Sequence, residues 1–306
     1  MSEAWINGEF VEESAATVSI RDTGLLHAAG VFTTMRSYGG RVFRLAEHLK
    51  RLRNSCEALF VPLQHKDEKL SEAVDELLRR NKLAEARLRL TVTRGAAAAD
   101  PLVGTSLSPN VFLTAAPLEP YPAEFYAKGL TVILLDEQKL NPYDVAAGHK
   151  TLNYFSRLAA LREANRRGAG EALWFNVHNY LQSGSISNVF LVKDGAVVTP
   201  PTKVEMRDAS VAAATAYPRS AVLPGVTRAA VIELARAAGM EVKFASVEVS
   251  QILDADEVFL TNSIMQVMPV CRIERKAIAA DKPGPVTTRL ANALAEEIER
   301  SAVGGR

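Results

Sequence analysis

Residues 223–228 read Leu-Pro-Gly-Val-Thr-Arg, and they lead directly into a helix that we predict from about Arg228 to Ala238. Gly225 permits a tight backbone turn, and Thr227 is a residue type that favours the N-cap of a helix. Free N–H groups beside a hydroxyl, at the positive end of a helix, form a cradle for a phosphate. An ordinary loop-to-helix cap produces the same pattern, and it is the commoner explanation when this motif stands alone.

A lysine lies at the start of another predicted helix, in the stretch His-Lys-Thr-Leu-Asn-Tyr at 149–154. The helix is predicted from about Leu152 to Arg167, and Gly168 would end it. A lysine at the mouth of an α/β domain can be desolvated, which frees its amine for Schiff-base chemistry. A solvated lysine at a helix start is the alternative, and it is the usual state of a single lysine. Lys150 is therefore a candidate that needs support from other residues.

Further polar groups occur at the predicted ends of strands. Residues 183–190, Ser-Gly-Ser-Ile-Ser-Asn-Val-Phe, form a turn before a strand, and 261–263, Thr-Asn-Ser, follow a strand. Ligands of α/β folds often bind at the carboxyl ends of strands, although hairpin turns and loops have the same composition. Arg94, which precedes Gly95, is suited to bind a carboxylate with two hydrogen bonds or to be a charge at the rim.

Apolar periodicity predicts a mixed succession of strands and helices in both halves of the chain. The predicted strands are Trp5–Phe10, Thr17–Ser19, Phe32–Tyr38, Arg41–Phe43, Arg87–Arg94, Asn110–Ala115, Leu130–Leu135, Glu171–Asn176, Val189–Lys193, Val197–Thr199 and Val258–Thr261. The other predicted helices are Leu45–Leu59, Lys69–Asn81 and Pro285–Arg300. Clustered prolines indicate a linker at 117–122 between domains 1–116 and 123–306, so the fold class is α/β (α+β) in two domains. Val204–Ser220 has no clear period, and we expect a mobile surface insertion or flap there.

Composition excludes several classes of protein. The chain has 306 residues, 48% of them hydrophobic and 23% charged, which suits a globular protein with a real core. The formal net charge of +1 offers no global attraction to nucleic acid or to anionic lipid. Cys56 and Cys271 are the only cysteines, so we expect a reducing compartment. The sequence has neither the pattern of a signal peptide nor the ~20 apolar residues that span a bilayer, so a cytoplasmic protein is expected.

Taken together and in their order, these segments resemble the class IV aminotransferases, also called fold type IV pyridoxal 5′-phosphate (PLP) enzymes. That group includes branched-chain and D-amino-acid aminotransferases and aminodeoxychorismate lyase. The similarity covers nearly the whole chain and runs through 22–24, 30–34, 47–52, 92–95, 150–153, 184–190, 223–228, 261–263 and 268–270. The resemblance implies a small N-terminal and a larger C-terminal α/β domain. It also implies a homodimer and a small-molecule amino substrate.

The resemblance further implies roles for particular residues. Lys150 would hold PLP as a Schiff base and would transfer the substrate proton as general base and acid. The other positions implied for PLP are Arg51, Val226, Thr227 and Ser263 at the phosphate with Asn262 beside them, Tyr154 at the phenolic oxygen, and Ser183 and Asn188. The positions implied for the substrate are Thr33, Arg36 and Arg94, and no metal ion is expected.

The chain departs from the family pattern at three places. Ser183 stands where most members have a glutamate that pairs with the pyridine nitrogen of PLP and keeps the ring protonated. A neutral hydroxyl cannot supply a charge-assisted hydrogen bond of ~1.5–3 kcal/mol, so the ring should more often be unprotonated. At ~1.4 kcal/mol per decade, rates should fall roughly ten- to hundredfold. The other departures are 27–30, His-Ala-Ala-Gly, in place of Gly-Asp-Gly, and the length of Val204–Ser220.

The type of reaction stays open between several classes. Thr33-Thr34 and the stretch Thr261–Val270 look most like aminodeoxychorismate lyase, which makes 4-aminobenzoate and pyruvate. Formation of an aromatic ring drives that reaction, so we hypothesise that it tolerates the weaker electron sink expected from Ser183. The alternative is an amino-acid transaminase of branched-chain or D-amino-acid type, which the Arg94 match favours. A PLP-binding protein with little turnover, or a domain without a cofactor, would also fit.

Overall fold

The computed structural model describes residues 2–96, 108–213, 215, 219–278 and 280–303, which form two compact units. Unit 1 comprises Met1–Glu119, His149–Asn153 and Ile298–Arg306, and unit 2 comprises Pro120–Gly148 and Tyr154–Glu297. Each unit combines a β-sheet with helices, which confirms the predicted fold class. The domain limits at 1–116, 117–122 and 123–306 stay a prediction. Within the described residues, no helix has the length and apolar character that crossing a bilayer requires.

Unit 1 contains a six-stranded antiparallel sheet with the strand order β2-β1-β6-β5-β3-β4. The strands are β1 (Glu3–Ile6), β2 (Glu9–Glu12), β3 (Gly30–Tyr38), β4 (Arg41–Val42), β5 (Ala86–Ala96) and β6 (Ser108–Pro117). The helices are α1 (Thr23–His27), α2 (Leu45–Ala58) and α3 (Asp67–Arg80). The long strands β5 and β6 pair through most of their length, so they give the sheet its centre.

The core of unit 1 lies between this sheet and the apolar faces of α2 and α3. Leu49, Leu52 and Cys56 of α2 are buried, as their spacing on one helical stripe predicts. Burial raises the pKa of the Cys56 thiol to about 12, so this cysteine is a neutral packing residue. The close apolar packing fixes α2 against β3, and both elements carry polar residues that the sequence singled out.

Two strand predictions in unit 1 are wrong. Trp5–Phe10 is not one strand, because Asn7 and Gly8 adopt positive φ angles of 52° and 107° and form the turn of the β1–β2 hairpin. Asn-Gly is a strong hairpin signal, which the aromatic residues on either side obscured. Residues 17–19 lie outside regular structure. Gly39 and Gly40, which separate the predicted strands Phe32–Tyr38 and Arg41–Phe43, form the turn between β3 and β4 with φ angles of 56° and 83°.

Unit 2 contains a nine-stranded mixed sheet with the order β12-β11-β10-β13-β14-β7-β8-β9, and β15 pairs with β14. The strands are β7 (Leu130–Leu140), β8 (Glu171–Asn176), β9 (Leu181–Gly184), β10 (Asn188–Lys193), β11 (Ala196–Thr199), β12 (Val242–Phe244), β13 (Glu257–Asn262), β14 (Gln266–Ile273) and β15 (Lys276–Ala277). The helices are α4 (Ala123–Lys128), α5 (Phe155–Arg166), α6 (Ala209–Ala213), α7 (Val226–Ala237), α8 (Val249–Leu253) and α9 (Pro285–Val303). Strands β8 and β10, which pair on both sides, are almost wholly buried, in keeping with the four consecutive apolar residues in the middle of each.

Two helix starts differ from the prediction, and both lie next to candidate site residues. Helix α5 begins at Phe155 and not at Leu152, because Thr151 forms an isolated β-bridge with Val31 of β3. Helix α7 begins at Val226, two residues before the predicted start. Thr227 is therefore the second residue of the helix, and Gly225 occupies the N-cap position that the sequence assigned to Thr227.

The Val204–Ser220 segment has local structure that its sequence did not predict. It contains a 3₁₀ turn at Glu205–Arg207 and the short helix α6, while residues 214 and 216–218 lie outside the described residues. Both carboxylate oxygens of Glu205 accept hydrogen bonds of 2.8 Å from the buried guanidinium of Arg228. The first part of the segment is thus attached to α7, and the predicted mobility of the whole stays a prediction.

Candidate active site

Lys150 is held by backbone pairing with strand β3. The carbonyl of Lys150 accepts a 2.9 Å hydrogen bond from the N–H of Phe32, and the N–H of Leu152 donates to Gly30 O over 3.0 Å. The side chain is half-buried, and its Nζ lies 4.7 Å from the centroid of the Phe32 ring. Because the main chain is fixed on both sides of Lys150, the Cα from which the side chain extends has a defined position. Such a fixed position suits a reacting group.

Arg89 contacts the same phenylalanine, and the sequence analysis did not select it. Its Cζ lies 3.6 Å from the centroid of the Phe32 ring, and its Nε donates to Thr91 Oγ1 over 3.2 Å. Because β3 and β5 pair with Thr34 opposite Arg89, this arginine projects from the same face of the sheet as Phe32. A guanidinium and an amine thus both lie against one aromatic ring of unit 1.

A second polar cluster of unit 1 joins β3 to α2. Arg51 Nη2 donates to Thr33 Oγ1 over 2.9 Å, and the same hydroxyl shares a 2.8 Å hydrogen bond with His48 Nδ1. Burial, and then the charges of Arg51 and Lys150, lower the pKa of His48 well below 6.5, so its ring is neutral. Thr33 is fully buried, and in this arrangement it orients the Arg51 guanidinium. Its predicted contact with substrate stays a prediction.

The other two predicted substrate residues have different partners, although Arg36 lies on the same face of β3 as Phe32. Arg36 forms an ion pair with Glu85 over 3.5 Å and stacks on the ring of Tyr38 at 4.4 Å. Arg94 has an exposed side chain that makes no hydrogen bond or ion pair with another described residue. The structure therefore brings together Thr33 and Arg51 among the predicted residues of unit 1, but it leaves Arg94 at the surface of that unit.

In unit 2, the start of α7 is built for close approach of the backbone to a ligand. No side chain caps the first N–H groups of this helix, and the buried Thr227 hydroxyl makes no hydrogen bond with another described residue. A Cβ at Gly225 would lie 2.0 Å from Asn188 Oδ1, so only glycine fits. Asn188 Nδ2 in turn donates to Leu223 O over 2.9 Å, which fixes the turn. Free N–H groups and a hydroxyl at a helix start are suited to a phosphate.

We predict that Thr227→Ala weakens PLP binding by about 1 kcal/mol, roughly fivefold in dissociation constant, because one hydroxyl hydrogen bond to phosphate is lost. Titration of the apoprotein with PLP measures this constant. Thr288→Ala, which removes an exposed threonine from the first turn of α9, is the matched control and should leave the constant unchanged. If Thr227→Ala and the unmodified protein had the same dissociation constant for PLP, Thr227 would not bind the phosphate.

Ser183, near the end of β9 and before the turn that follows it, has the guanidinium of Arg157 beside its hydroxyl. Arg157 Nη1 lies 3.4 Å from Ser183 Oγ and donates to the carbonyls of Gly184 and Ser185, both over 3.1 Å. Glu171 lies below the turn and accepts hydrogen bonds from the N–H of Ser185 over 2.8 Å and from the Ser187 hydroxyl over 3.1 Å. Burial raises the pKa of Glu171, although the surrounding hydrogen bonds lower it. Neither Arg157 nor Glu171 was selected from the sequence.

The remaining predicted residues of unit 2 lie at the ends of regular elements, with Asn262 the last residue of β13 and Tyr154 directly before α5. Asn262 Oδ1 accepts from the N–H groups of Ile264 and Met265, both over 2.8 Å, and its Nδ2 donates to Ile186 O over 3.2 Å. It therefore shapes the turn that carries Ser263, which is half-buried. The Tyr154 ring lies 5.9 Å from the guanidinium carbon of Arg157. Ser183, Tyr154 and Arg157 thus form one neighbourhood within unit 2.

Known proteins share both the sequence and the fold of this chain. The family model described as amino-transferase class IV matches residues 30–273. The branched-chain-amino-acid aminotransferase of Salmonella typhimurium is 31% identical over 300 residues, covering 95% of this chain and 91% of that protein. The D-alanine aminotransferase of Bacillus licheniformis is 28% identical over 292 residues, covering 95% of each. The structure of the T.th. branched-chain amino acid aminotransferase with pyridoxamine 5′-phosphate matches with a TM-score of 0.85 and 30% identity, covering 100% of this chain and 95% of that chain.

A half-buried lysine on a fixed backbone and a helix start without a side-chain cap are both suited to the chemistry of a PLP-dependent enzyme. The chain belongs to the class IV aminotransferase family. Its cofactor is PLP, and the residues present fit this group, since they include an amine for the aldehyde and, for the phosphate, a helix start with a hydroxyl that has no hydrogen-bond partner in the described part of the chain.

Proposed function

We propose that this protein is an amino-acid transaminase, which transfers an amino group between an amino acid and a 2-oxo acid. The observation that carries the proposal is the position of Arg89 on the ring that Lys150 also contacts. Amino acids and 2-oxo acids share a carboxylate next to the reacting carbon, and arginine binds a carboxylate through two parallel hydrogen bonds. The relatives named for branched-chain amino acids and for D-alanine support this alternative over the lyase that the sequence first suggested.

The proposal assigns a task to each group. PLP, when bound, withdraws electrons from the carbon that carries the amino group, so that a proton of this carbon becomes acidic. Lys150 attaches the cofactor and carries that proton, because a half-buried amine on a fixed backbone can act as nucleophile and as base. The start of α7, with Thr227, binds the phosphate of PLP. Arg51, which Thr33 orients, is a further phosphate-binding residue. Arg89 binds the substrate carboxylate.

A half-reaction separates transamination from the lyase reaction. Holoprotein is mixed with L-leucine, D-alanine or aminodeoxychorismate in the absence of any 2-oxo acid, and the products are separated by chromatography. A transaminase gives pyridoxamine 5′-phosphate and the matching 2-oxo acid, and the amino acid that reacts shows the stereochemistry. Release of 4-aminobenzoate and pyruvate, with no pyridoxamine 5′-phosphate from either amino acid, would identify a lyase. A holoprotein that converts none of the three would have little turnover.

We predict that Arg89→Leu raises the KM for both amino acid and 2-oxo acid about ten- to hundredfold, because a charge-assisted hydrogen bond is worth ~1.5–3 kcal/mol. The matched variant Arg94→Leu removes the exposed arginine near the end of the same strand, and it should change KM by less than about twofold. Steady-state kinetics of the two variants decides between the arginines. If Arg94→Leu raised KM more than Arg89→Leu, the substrate carboxylate would bind to Arg94, as the sequence resemblance implies.

A further inference from the structure

The hydroxyl of Ser183 accepts a hydrogen bond from Arg157, and its own hydrogen is available for another acceptor. Ser183 is buried on β9 opposite Trp174, and its Oγ accepts from Arg157 Nη1 over 3.4 Å. The other two contacts of Nη1, the carbonyls of Gly184 and Ser185, fix the guanidinium against the turn. A serine hydroxyl that accepts from an arginine retains its own hydrogen for donation. Ser183 can therefore still donate one hydrogen bond to a further partner.

The charge at this position is positive. Arginine keeps its proton at every pH at which proteins fold, and no contact of Arg157 among the described residues is a carboxylate. The carboxylate of Glu171 also contacts the turn, but its oxygens accept from the backbone and from Ser187, not from Arg157. The guanidinium instead lies beside the rings of Tyr154 and Trp174, at 5.9 and 5.5 Å. Its charge is therefore not neutralised by a direct ion pair with a described residue.

We propose that Ser183 and Arg157 together bind the ring nitrogen of PLP in its unprotonated form. Ser183 donates a hydrogen bond to the nitrogen lone pair, and Arg157 is a positioning residue that orients the hydroxyl and repels a proton from the ring. A protonated nitrogen would place one positive charge next to that of Arg157, whereas an unprotonated nitrogen accepts the Ser183 hydrogen bond without this repulsion. The family resemblance implies that residue 183 lies beside the pyridine nitrogen of PLP. The proposal uses this position and rests on the binding of PLP.

This arrangement has a consequence for the proposed transamination. A neutral ring would withdraw electrons less strongly than a protonated ring, so removal of the substrate proton would be slower. The protein then depends more on how Lys150 is placed than on the electronic pull of the cofactor. A replacement of Ser183 by glutamate would supply the negative charge that favours a protonated ring.

The protonation state can be read directly, without an activity assay. Holoprotein is reconstituted with PLP that is ¹⁵N-labelled in the ring, and the ¹⁵N chemical shift is recorded between pH 6 and pH 8. The unmodified protein should show the shift of an unprotonated pyridine throughout, and Ser183→Glu should move it to the protonated value. Arg157→Leu should move it part of the way. Arg162→Leu, a variant of another arginine on the same helix α5, is the matched control and should leave it unchanged.

A protonated ring in the unmodified holoprotein would overturn the proposal, even if Ser183→Glu does not fold. An unchanged shift in Arg157→Leu, together with weaker PLP binding, would show that Arg157 only supports the turn and would overturn its assigned role. These results are independent of the half-reaction assay. Failure to form pyridoxamine 5′-phosphate would reject the transaminase function, whereas the ¹⁵N shift would still report on the ring.

Discussion

Replacing Lys150 with alanine is expected to give a protein that forms no borohydride-reducible bond with PLP and has lost transaminase activity. Alanine has no amine for the aldehyde, and the change also removes the proposed base. General base catalysis alone contributes about 10²–10⁴-fold, so the loss should be at least of that size. Reduction of the holoprotein with borohydride, followed by proteolysis and mass spectrometry, locates the modified lysine.

Lys203 provides the matched control for this experiment. Burial, and then the charge of Arg219, lower the pKa of Lys203, so its amine is more easily deprotonated than that of an ordinary lysine. Lys203→Ala should retain both the adduct at Lys150 and the activity. An adduct on Lys203 in the unmodified protein, or on any lysine of Lys150→Ala, would show that the assignment of Lys150 is wrong.

Glu205→Ala is expected to lower the free energy of unfolding of unit 2 by about 3–5 kcal/mol, the usual cost of removing one partner of a buried ion pair. The Arg228 side chain is only 3% exposed, and its two terminal nitrogens donate to the Glu205 carboxylate and to Pro200 O. Without Glu205 the guanidinium charge would remain buried next to α7. Urea denaturation, followed by a probe in unit 2 such as Trp174 fluorescence, measures the change.

An exposed ion pair serves as the control. Glu124 and Lys128 lie one helical turn apart with side chains 60% and 77% exposed, so Glu124→Ala should cost about 0.5 kcal/mol or less. The double variant Glu205→Leu with Arg228→Met should recover much of the loss, because no unpaired charge stays buried. If Glu205→Ala were as mild as Glu124→Ala, the buried pair would not stabilise the fold.

The same pair predicts how stability depends on pH. Burial alone would raise the pKa of Glu205, but the hydrogen bonds and charge of Arg228 hold it below the usual 4.5. A carboxyl group whose pKa is lower in the folded than in the unfolded state stabilises the fold above the unfolded pKa. Its contribution is therefore complete above about pH 4.5 and disappears as the pH falls through the folded pKa.

Local sequence patterns predicted most of the long helices and strands. They did not predict some strands or the pairings between distant residues. The stripe of Leu49, Leu52 and Cys56 predicted α2, since its period follows from one buried helix face. Strand β14 was not predicted, and its Pro269 argues against a central strand, although β14 pairs on both sides. The bridge of Thr151 with Val31 is equally invisible in the local sequence, because it depends on a contact between distant residues.

The candidate site shows the same division. Lys150 and Thr227 were predicted because they lie in motifs that follow one another in the order typical of the family. The resemblance to the family assigned their roles, which a single lysine or threonine does not reveal. Arg89 was missed because its importance depends on the register in which β5 pairs with β3, although strand alternation already placed it on the polar face. Arg157 was missed because a helical arginine is usually solvated, and only the fold shows that it reaches the turn at Ser183.

The pairing of residues 150 and 152 with β3 also limits how the reacting amine moves. Both hydrogen bonds, from Phe32 N–H to Lys150 O and from Leu152 N–H to Gly30 O, extend the edge of the ladder. These two amide protons should exchange with deuterated solvent as slowly as those of the strand itself. Travel of the nitrogen between cofactor and substrate then comes from rotation about the bonds of its four-carbon stem. The peptide that carries it stays still.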